Sequence, residues 1–311
     1  MTADFVELRT NRPSLLLRLL TWLFSTQPPP FPLNEASTRE LLGHRDEPVD
    51  APMPKSFERR FQIERFELEG QQCVTMHPRS GPGRRHILYL HGGGFILPML
   101  DPLWPLAAAL VETTGASLTL PLYKVVPEAS YNAAESLADA AFARIAGQWE
   151  SSAITLAGDS AGANMAIALA LRLLQRRGPQ AGRVVLFSPW LDITLRDEAA
   201  RVVEANDIML RIDALRVMGE AWAGSRDPAS PACSPLYVDP VDLAHLPPIA
   251  IFQGRHDIFV VDSRSFAKRA AEAGKPVKLY EYAGAMHDFM VLTMTREAKD
   301  CMRLVREFIA E

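Results

Sequence analysis

AITLAGDSAGANMAIALALRLL, residues 153–174, joins a short apolar run to an alanine-rich run through GDSAG at 158–162. The first run has the character of a buried strand, and the second is typical of a buried helix. GDSAG matches the pattern G-x-S-x-G, in which a serine sits on a sharp strand-to-helix turn that admits only small neighbours. We therefore expect the hydroxyl of Ser160 to be exposed above the sheet. The pattern alone is weak, since a serine between glycines is more often a helix N-cap.

Outward from this turn, short apolar strands alternate with longer helical segments. Strands are predicted at 86–90, 116–120, 153–157, 184–189, 247–253 and 277–283, and helices at 101–113, 132–149, after Ser160, at 263–274 and at 295–311. Apolar strands separated by helices indicate an α/β protein whose mostly parallel sheet carries helices on both faces. The runs 61–70 and 71–77 predict a hairpin that turns at Glu69-Gly70 and forms an antiparallel edge.

Two segments, 1–50 and 194–235, fall outside this alternation, and both are helical in pattern. Because 194–235 is inserted between two core strands, it has to project from the end of the sheet. We predict that both segments form a helical cap over the active-site face, and that 51–193 and 236–311 form the core.

Composition excludes several classes of function. The chain has 311 residues, of which 48% are hydrophobic, enough for one large globular domain or two modest ones. Its formal net charge of -4 combines 33 basic and 37 acidic residues, so nucleic acid is not an expected partner. The 3 cysteines are isolated and form no zinc-ligand pattern, which predicts a reducing, cytoplasmic location and no metal site.

The apolar stretch LLLRLLTWLF at 15–24 follows Arg9 and Arg12, as a secretory leader would. Arg18 interrupts it and no small-residue cleavage site follows, so a leader is disfavoured. It is also much shorter than the ~20 apolar residues that cross a membrane. We predict an amphipathic helix that packs on the domain and lines the acyl pocket. Its apolar face comprises Leu16, Leu19, Leu20 and Leu23. Peripheral membrane contact through this helix and a homodimer stay open.

HGGGF at 91–95 directly follows the strand predicted at 86–90. Three consecutive glycines let the backbone approach a ligand closely and turn its N–H groups toward it. Attack of a hydroxyl on a carbonyl builds negative charge on oxygen, and one well-placed donor stabilises that charge by about 3 to 4 kcal/mol. No GK[ST] or GxGxxG follows that would favour a phosphate site. The loop is therefore interpreted as an oxyanion hole, with the N–H of Ala161 as a further donor.

A serine nucleophile needs a general base, and the base needs an acid that orients it. Three of the seven histidines lie after Ser160, namely His245, His256 and His287. His287 follows the strand predicted at 277–283 and a short loop, so it emerges at the same carboxyl-end face as Ser160. We therefore predict His287 as the base, while His245 and His256 remain rivals.

For the acid, Asp257 follows the strand at 247–253, again at the carboxyl end of the sheet. Asp262 is the rival, but it stands just before the helix at 263–274, where an aspartate is most often an N-cap. Asp192 is a third candidate. The sequence favours Asp257.

Five motifs together resemble the hormone-sensitive-lipase-like family of α/β-hydrolase-fold carboxylesterases, over roughly residues 60–311. They are HGGGF at 91–95, GDSAG at 158–162, SPWLD at 188–192, GRHDIFVVD at 254–262 and GAMHDF at 284–289. The resemblance implies the α/β-hydrolase fold, with Ser160 as nucleophile, His287 as base and Asp257 as its orienting acid. It places the oxyanion hole at the amides of Gly92, Gly93, Gly94 and Ala161.

Two departures from the family pattern stand out. DIFVVD at 257–262 is one residue longer than the usual D-P-L-x-D, which leaves the role of Asp262 open. Asp288 follows His287 where the family more often has glycine.

The function implied is hydrolysis of small-molecule esters with short to medium acyl chains, through an acyl-enzyme and without a cofactor. An amidase or formamidase with the same triad is an alternative, because the motifs specify acyl chemistry but not the leaving group. A non-catalytic ligand receptor on the same fold is a second alternative, and such a receptor is expected to lack one triad member.

Overall fold

The computed structural model describes residues 6–10, 12–29, 31–44, 48–275 and 277–311, and nine strands within them form one sheet. The strands are β1 (Val6–Thr10), β2 (Phe61–Leu68), β3 (Gln71–Pro78), β4 (His86–Leu90), β5 (Ser117–Pro121), β6 (Ile154–Asp159), β7 (Arg183–Phe187), β8 (Ile249–Gly254) and β9 (Lys278–Tyr282). Their order across the sheet is β1-β9-β8-β7-β6-β4-β5-β3-β2.

Neighbouring strands are parallel except where β3 takes part, since β3 runs antiparallel to both β2 and β5. The hairpin predicted at Glu69-Gly70 is therefore confirmed, as is the mostly parallel α/β sheet. Strand β1 was not predicted. Residues 6–10 pair with β9 in the sheet, although the sequence places them in the N-terminal cap segment. Residues 1–5, 11, 30 and 45–47 of that segment lie outside the described residues.

Helices cover both faces of the sheet. They are α1 (Leu15–Ser25), α2 (Glu35–His44), α3 (Phe57–Arg60), α4 (Leu103–Thr114), α5 (Tyr131–Ala146), α6 (Ser160–Gln175), α7 (Ala199–Glu204), α8 (Ile212–Ala223), α9 (Pro240–His245), α10 (Val260–Glu272) and α11 (Arg296–Ala310). Successive strand residues point to opposite faces, so Leu88 and Leu90 join the core beneath α5, α6 and α10, while Ile87 and Tyr89 join the core beneath α4 and α11. This two-sided burial explains why the central strands are apolar throughout.

The inserted segment 194–235 contains α7 and α8, and α8 packs against α2 of the N-terminal segment. Trp222 of α8 stacks on Phe95 with ring centroids 4.2 Å apart. Because Phe95 ends the HGGGF loop, this contact ties the insertion to the predicted oxyanion loop. That the two segments act as a cap stays a prediction.

Helix α1 is anchored at its first turn. Ser14 caps it by accepting the N–H of Leu17 at 3.2 Å, and Ser14 Oγ donates to the buried Glu297 at 2.7 Å. Leu17 is fully buried, whereas three leucines of the predicted apolar face are 41% to 52% exposed. These are Leu16, Leu19 and Leu23. The predicted helix is confirmed, but of the predicted face only Leu20 is partly buried against the core, so the packing predicted for the other three leucines is wrong. Within the described residues, the structure has no helix that is both long and apolar enough to cross a membrane.

This anchoring predicts unequal effects of truncating two neighbouring leucines. Leu17→Ala is expected to lower the free energy of unfolding by about 2 to 5 kcal/mol, because it opens a cavity under α1. Leu19→Ala is the control and is expected to change it by less than about 0.5 kcal/mol. Chemical denaturation followed by circular dichroism measures both, and equal losses would contradict the described packing of α1.

Candidate active site

Ser160 lies where β6 meets α6, and its backbone has a φ of +51°, a strained left-handed conformation for a residue with a side chain. Close packing requires glycine on both sides of this turn. A Cβ on Gly162 would lie 2.1 Å from the carbonyl oxygen of Leu90, and a Cβ on Gly158 would lie 2.5 Å from the backbone of Gly162. The turn is therefore clamped against the end of β4, which holds Ser160 at the carboxyl end of the sheet.

His287 bridges Ser160 and Asp257. Its Nε2 lies 3.0 Å from Ser160 Oγ, and its Nδ1 lies 2.9 Å from Asp257 Oδ2. In a neutral ring protonated on Nδ1, that N–H donates to the carboxylate while Nε2 accepts the serine hydrogen. All three side chains are buried. The structure thus brings together the three residues that the sequence predicts as nucleophile, base and acid.

Two further donors orient Asp257. The N–H of Phe259 donates to Oδ1 at 2.9 Å, and Gln253 Nε2 donates to Oδ2 at 2.7 Å. Gln253 is itself fixed, because Ser263 Oγ donates to its Oε1 at 2.8 Å. The carboxylate therefore has one well-defined orientation toward the imidazole.

The inserted segment reaches the loop of the acid through Asp207. Its Oδ2 accepts the N–H of Ile258 at 3.0 Å, and its Oδ1 accepts the N–H of Met209 at 2.8 Å. Burial, and then the charge of Asp257, raise the pKa of Asp207 to about 6. The sequence did not point to Asp207, because its partners belong to segments far apart in the chain.

The glycine loop supplies fewer oxyanion donors than the sequence suggests. Gly93 and Gly94 have φ of +127° and +60°, conformations that favour glycine. The N–H of Gly92 donates to Asp159 Oδ1 at 2.9 Å, so the prediction that Gly92 contributes to the hole is wrong. Ala161 lies in the first turn of α6, where backbone N–H groups have no acceptor within the helix. Gly93, Gly94 and Ala161 remain as candidate donors.

The rival residues are placed elsewhere. His245 and His256 are exposed, and His245 Nδ1 lies 2.7 Å from the carbonyl oxygen of Val241. Asp192 accepts the Tyr237 hydroxyl at 2.8 Å and the N–H of Thr194 at 2.9 Å, so it orders the connection after β7.

Asp262 is not the helix cap that the sequence predicts. Helix α10 begins at Val260, so Asp262 lies within its first turn, and Phe259 occupies the N-cap position. The carboxyl is buried, and its Oδ2 has no partner among the described residues. Burial, followed by the charges of Asp192, Asp197 and Asp257, raises the pKa of Asp262 well above its ordinary value. Burial and these charges therefore disfavour the ionised form of Asp262.

Comparison with known proteins agrees with this arrangement. A family model described as alpha/beta hydrolase fold matches residues 87–291, more than half of the chain. The chain belongs to this family. This hydrolase is 35% identical to an acetyl-hydrolase of Streptomyces hygroscopicus over 205 residues, which cover 65% of this chain and 67% of that protein.

It is also 32% identical to an esterase of Acinetobacter venetianus over 225 residues, covering 71% of this chain and 73% of the relative. The crystal structure of a hormone-sensitive lipase from a metagenome library superposes with a TM-score of 0.76 at 27% identity, over 94% of this chain and 96% of that one. The predicted family resemblance and fold class are confirmed.

A cavity of about 190 Å³ opens beside Ser160 in this hydrolase. Its polar groups are those of the site itself, and the rest of its wall is apolar. The apolar lining comprises Phe24, Phe31, Leu100, Pro102, Leu103, Met209, Met286, Val291 and Leu292. Phe24 is the last aromatic residue of α1, so the N-terminal segment reaches the cavity at that residue and not through the predicted leucine face.

Two carboxyls near the hydrolase triad had no role assigned from the sequence. Asp159 is the variable residue of G-x-S-x-G, and Asp288 was noticed only as a departure from the family pattern. Asp288 Oδ2 lies 3.2 Å from His287 Nε2. Burial alone lowers the pKa of His287, but the charges of Asp288 and Asp257 outweigh it and raise the pKa well above its usual range.

Asparagine substitutions at the two candidate acids of this hydrolase, Asp257 and Asp262, are expected to have different consequences. Asp257→Asn removes the carboxylate that fixes the ring tautomer and stabilises the imidazolium, so kcat is expected to fall by about 10⁴-fold. Asp262→Asn introduces an amide of similar shape at a carboxyl that does not contact His287, and kcat is expected to stay within about threefold of the native value. Steady-state kinetics on one p-nitrophenyl ester compares them, and similar losses of kcat would reject Asp257 as the acid.

Proposed function

We propose that this carboxylic ester hydrolase acts through an acyl-enzyme on Ser160 and takes esters with short to medium acyl chains. The observation that carries the proposal is the hydrogen-bonded series from Ser160 through His287 to Asp257, at 3.0 and 2.9 Å. The relatives named esterase and acetyl-hydrolase support an ester as the substrate. The presence of all three triad residues argues against a receptor that has lost catalysis.

In the first step, His287 Nε2 takes the proton of Ser160 as Oγ attacks the ester carbonyl carbon. The tetrahedral intermediate collapses as the bond to the alcohol oxygen breaks, and the alcohol leaves with the proton from Nε2. Water then attacks the acyl-enzyme with His287 again as base, and Ser160 regains its proton as the acid leaves. Asp257 stabilises the imidazolium in both steps, and the reaction needs no cofactor.

The oxyanion is assigned to the N–H groups of Gly93, Gly94 and Ala161. Helix α6 supports the assignment, because the partial positive charge of its N-terminus lies beside the developing negative charge. The water-excluded site strengthens such interactions, and each donor is worth about 3 to 4 kcal/mol in the transition state.

The apolar cavity is assigned to the acyl chain. Each methylene that leaves water for this wall contributes about 0.8 kcal/mol. The cavity of about 190 Å³ is small, which supports short to medium chains over long ones. Peripheral membrane contact through α1 is supported by its exposed apolar side chains, among them Leu15 and Trp22. The homodimer and the cytoplasmic location stay predictions.

Ser160→Ala is expected to give a folded protein whose ester hydrolysis falls by at least ~10³-fold, because triad members act as a unit. The measurement is kcat/KM on p-nitrophenyl esters from acetyl to octanoyl, run beside matched aryl amides. A variant that keeps half its activity would show that Ser160 is only a turn residue. Higher kcat/KM on the amides would replace the esterase by an amidase with the same triad.

Phe24→Ala tests the acyl pocket. Losing this ring is expected to lower kcat/KM for octanoyl esters by roughly tenfold, since about two methylenes lose their apolar contact, while acetyl esters are unaffected. Trp22→Ala is the matched control, because Trp22 is 61% exposed and does not line the cavity. Equal losses on both chain lengths would mean that Phe24 only supports the fold. Anionic liposome flotation of the Trp22 variant separately tests membrane contact.

A further inference from the structure

Asp288 places a second carboxylate on the ring of His287. Its Oδ2 lies 3.2 Å from Nε2, the nitrogen that also lies 3.0 Å from Ser160 Oγ. Asp257 occupies the other ring nitrogen. The base therefore has a carboxylate on each nitrogen, and Asp288 shares the nitrogen through which Ser160 is deprotonated.

The backbone holds Asp288 in this place. It has a φ of +49°, and its N–H donates to Ser188 Oγ at 3.1 Å. Its Oδ1 is buried and has no hydrogen-bond partner among the described residues. Burial raises the pKa of Asp288, and burial and then the charge of Asp288 raise the pKa of the neighbouring Asp159 to about 8.

Asp159 is in turn fixed to the glycine loop. Its Oδ1 accepts the hydroxyl of Tyr89 at 2.5 Å and the N–H of Gly92 at 2.9 Å. A Cβ on Gly92 would lie 2.2 Å from Asp159 Oδ2, so the carboxyl fills the space that only glycine leaves. Asp159 is thus fixed between Tyr89 and the glycine loop, next to Asp288.

The contact between Asp288 and Nε2 has a protonation requirement. An unprotonated Nε2 and a carboxylate oxygen are both acceptors, so they attract each other only when a proton lies between them. When that proton is present, Nε2 cannot also accept the proton of Ser160. The two contacts of Nε2 are therefore alternatives in the reacting enzyme.

We propose that Asp288 is a positioning residue that holds a proton on Nε2 of His287 in the free enzyme, so that Ser160 is activated only after that proton leaves to solvent. The inference rests on the proposed function, because it takes His287 as the base. Once the proton has left, Nε2 accepts the proton of the Ser160 hydroxyl, which already lies 3.0 Å away, and the chemistry proceeds as above.

The direction of the effect follows from the groups around the ring. The carboxyl groups of Asp288 and Asp257 contact the imidazole of His287. The charge of Asp207 acts on the ring from the far side of Asp257, and Asp159 and Tyr89 lie on the far side of Asp288. Burial raises the pKa of both Asp159 and Tyr89, which disfavours their charged forms.

Removing the Asp288 charge leaves Asp257 in place and lowers the proton affinity of Nε2. Because only the unprotonated base is active, the acid limb of kcat/KM then moves to lower pH.

The test compares the pH profiles of Asp288→Asn and Asp288→Gly with the native chain. Both replacements tolerate positive φ, so both are expected to fold. With a p-nitrophenyl ester the leaving group needs no proton, so the acid limb reports the base alone. Relative to its own alkaline plateau, each variant is expected to be at least ~5-fold more active than the native chain on the acid limb.

Asp101→Asn is the matched control. Asp101 is an exposed carboxylate between two residues that line the cavity, and it does not contact the ring. An unmoved acid limb in both Asp288 variants overturns the proposal, as does an equal shift in the Asp101 variant. If turnover of a variant is too slow, the pH dependence of Ser160 labelling by a fluorophosphonate gives the same comparison. Failure of the proposed function itself is recognised before the variants are compared, because the native chain would then neither hydrolyse the ester nor be labelled at Ser160.

Discussion

The close approach of the nucleophile turn to the end of β4 is the constraint on which the rest of the site depends. Gly158 and Gly162 have no room for a Cβ, and the carbonyl oxygen of Leu90 occupies the position where one would lie. This packing forces Ser160 into positive φ and brings the glycine loop that follows β4 beside it. One backbone contact therefore positions Ser160, the N-terminus of α6 and the glycine loop together.

Parallel strands then bring the remaining groups to the same edge. β8 ends before Asp257, and β9 ends before His287, so both loops open at the carboxyl end where β6 delivers Ser160. The electrostatic result is one imidazole surrounded by carboxyls. Asp257 and Asp288 contact it directly, while Asp207 reaches the acid loop through the N–H of Ile258. Burial favours a neutral imidazole, whereas the negative charges within a few ångströms favour an imidazolium. The two effects on the pKa of His287 therefore oppose each other.

Segments outside the main alternation contribute Phe24, Phe31 and Met209 to the apolar wall around this polar centre. α1 brings Phe24 to the cavity and is anchored by Ser14 on the buried Glu297 of α11. The insertion contributes Met209, whose N–H is held by Asp207, and Asp207 also holds the loop of the acid. The wall of the cavity and the loop of Asp257 are thus joined through one buried carboxyl group.

The sequence by itself determined strands β2 to β9, the helices that follow them and the strained turn at Ser160, and it predicted His287 and Asp257 from their places after two strands. These follow from local periodicity and from the rule that parallel strands end at one edge, neither of which needs a distant contact. Only the tertiary structure decided that residues 6–10 pair with β9 and that Leu17, more than the predicted leucine face, anchors α1. It also decided that Asp159 accepts the hydrogen bond of the Gly92 N–H and that Asp288 contacts Nε2 of His287. Each of these depends on groups that are remote in the chain or on a side-chain direction set by positive φ, and no local pattern encodes them.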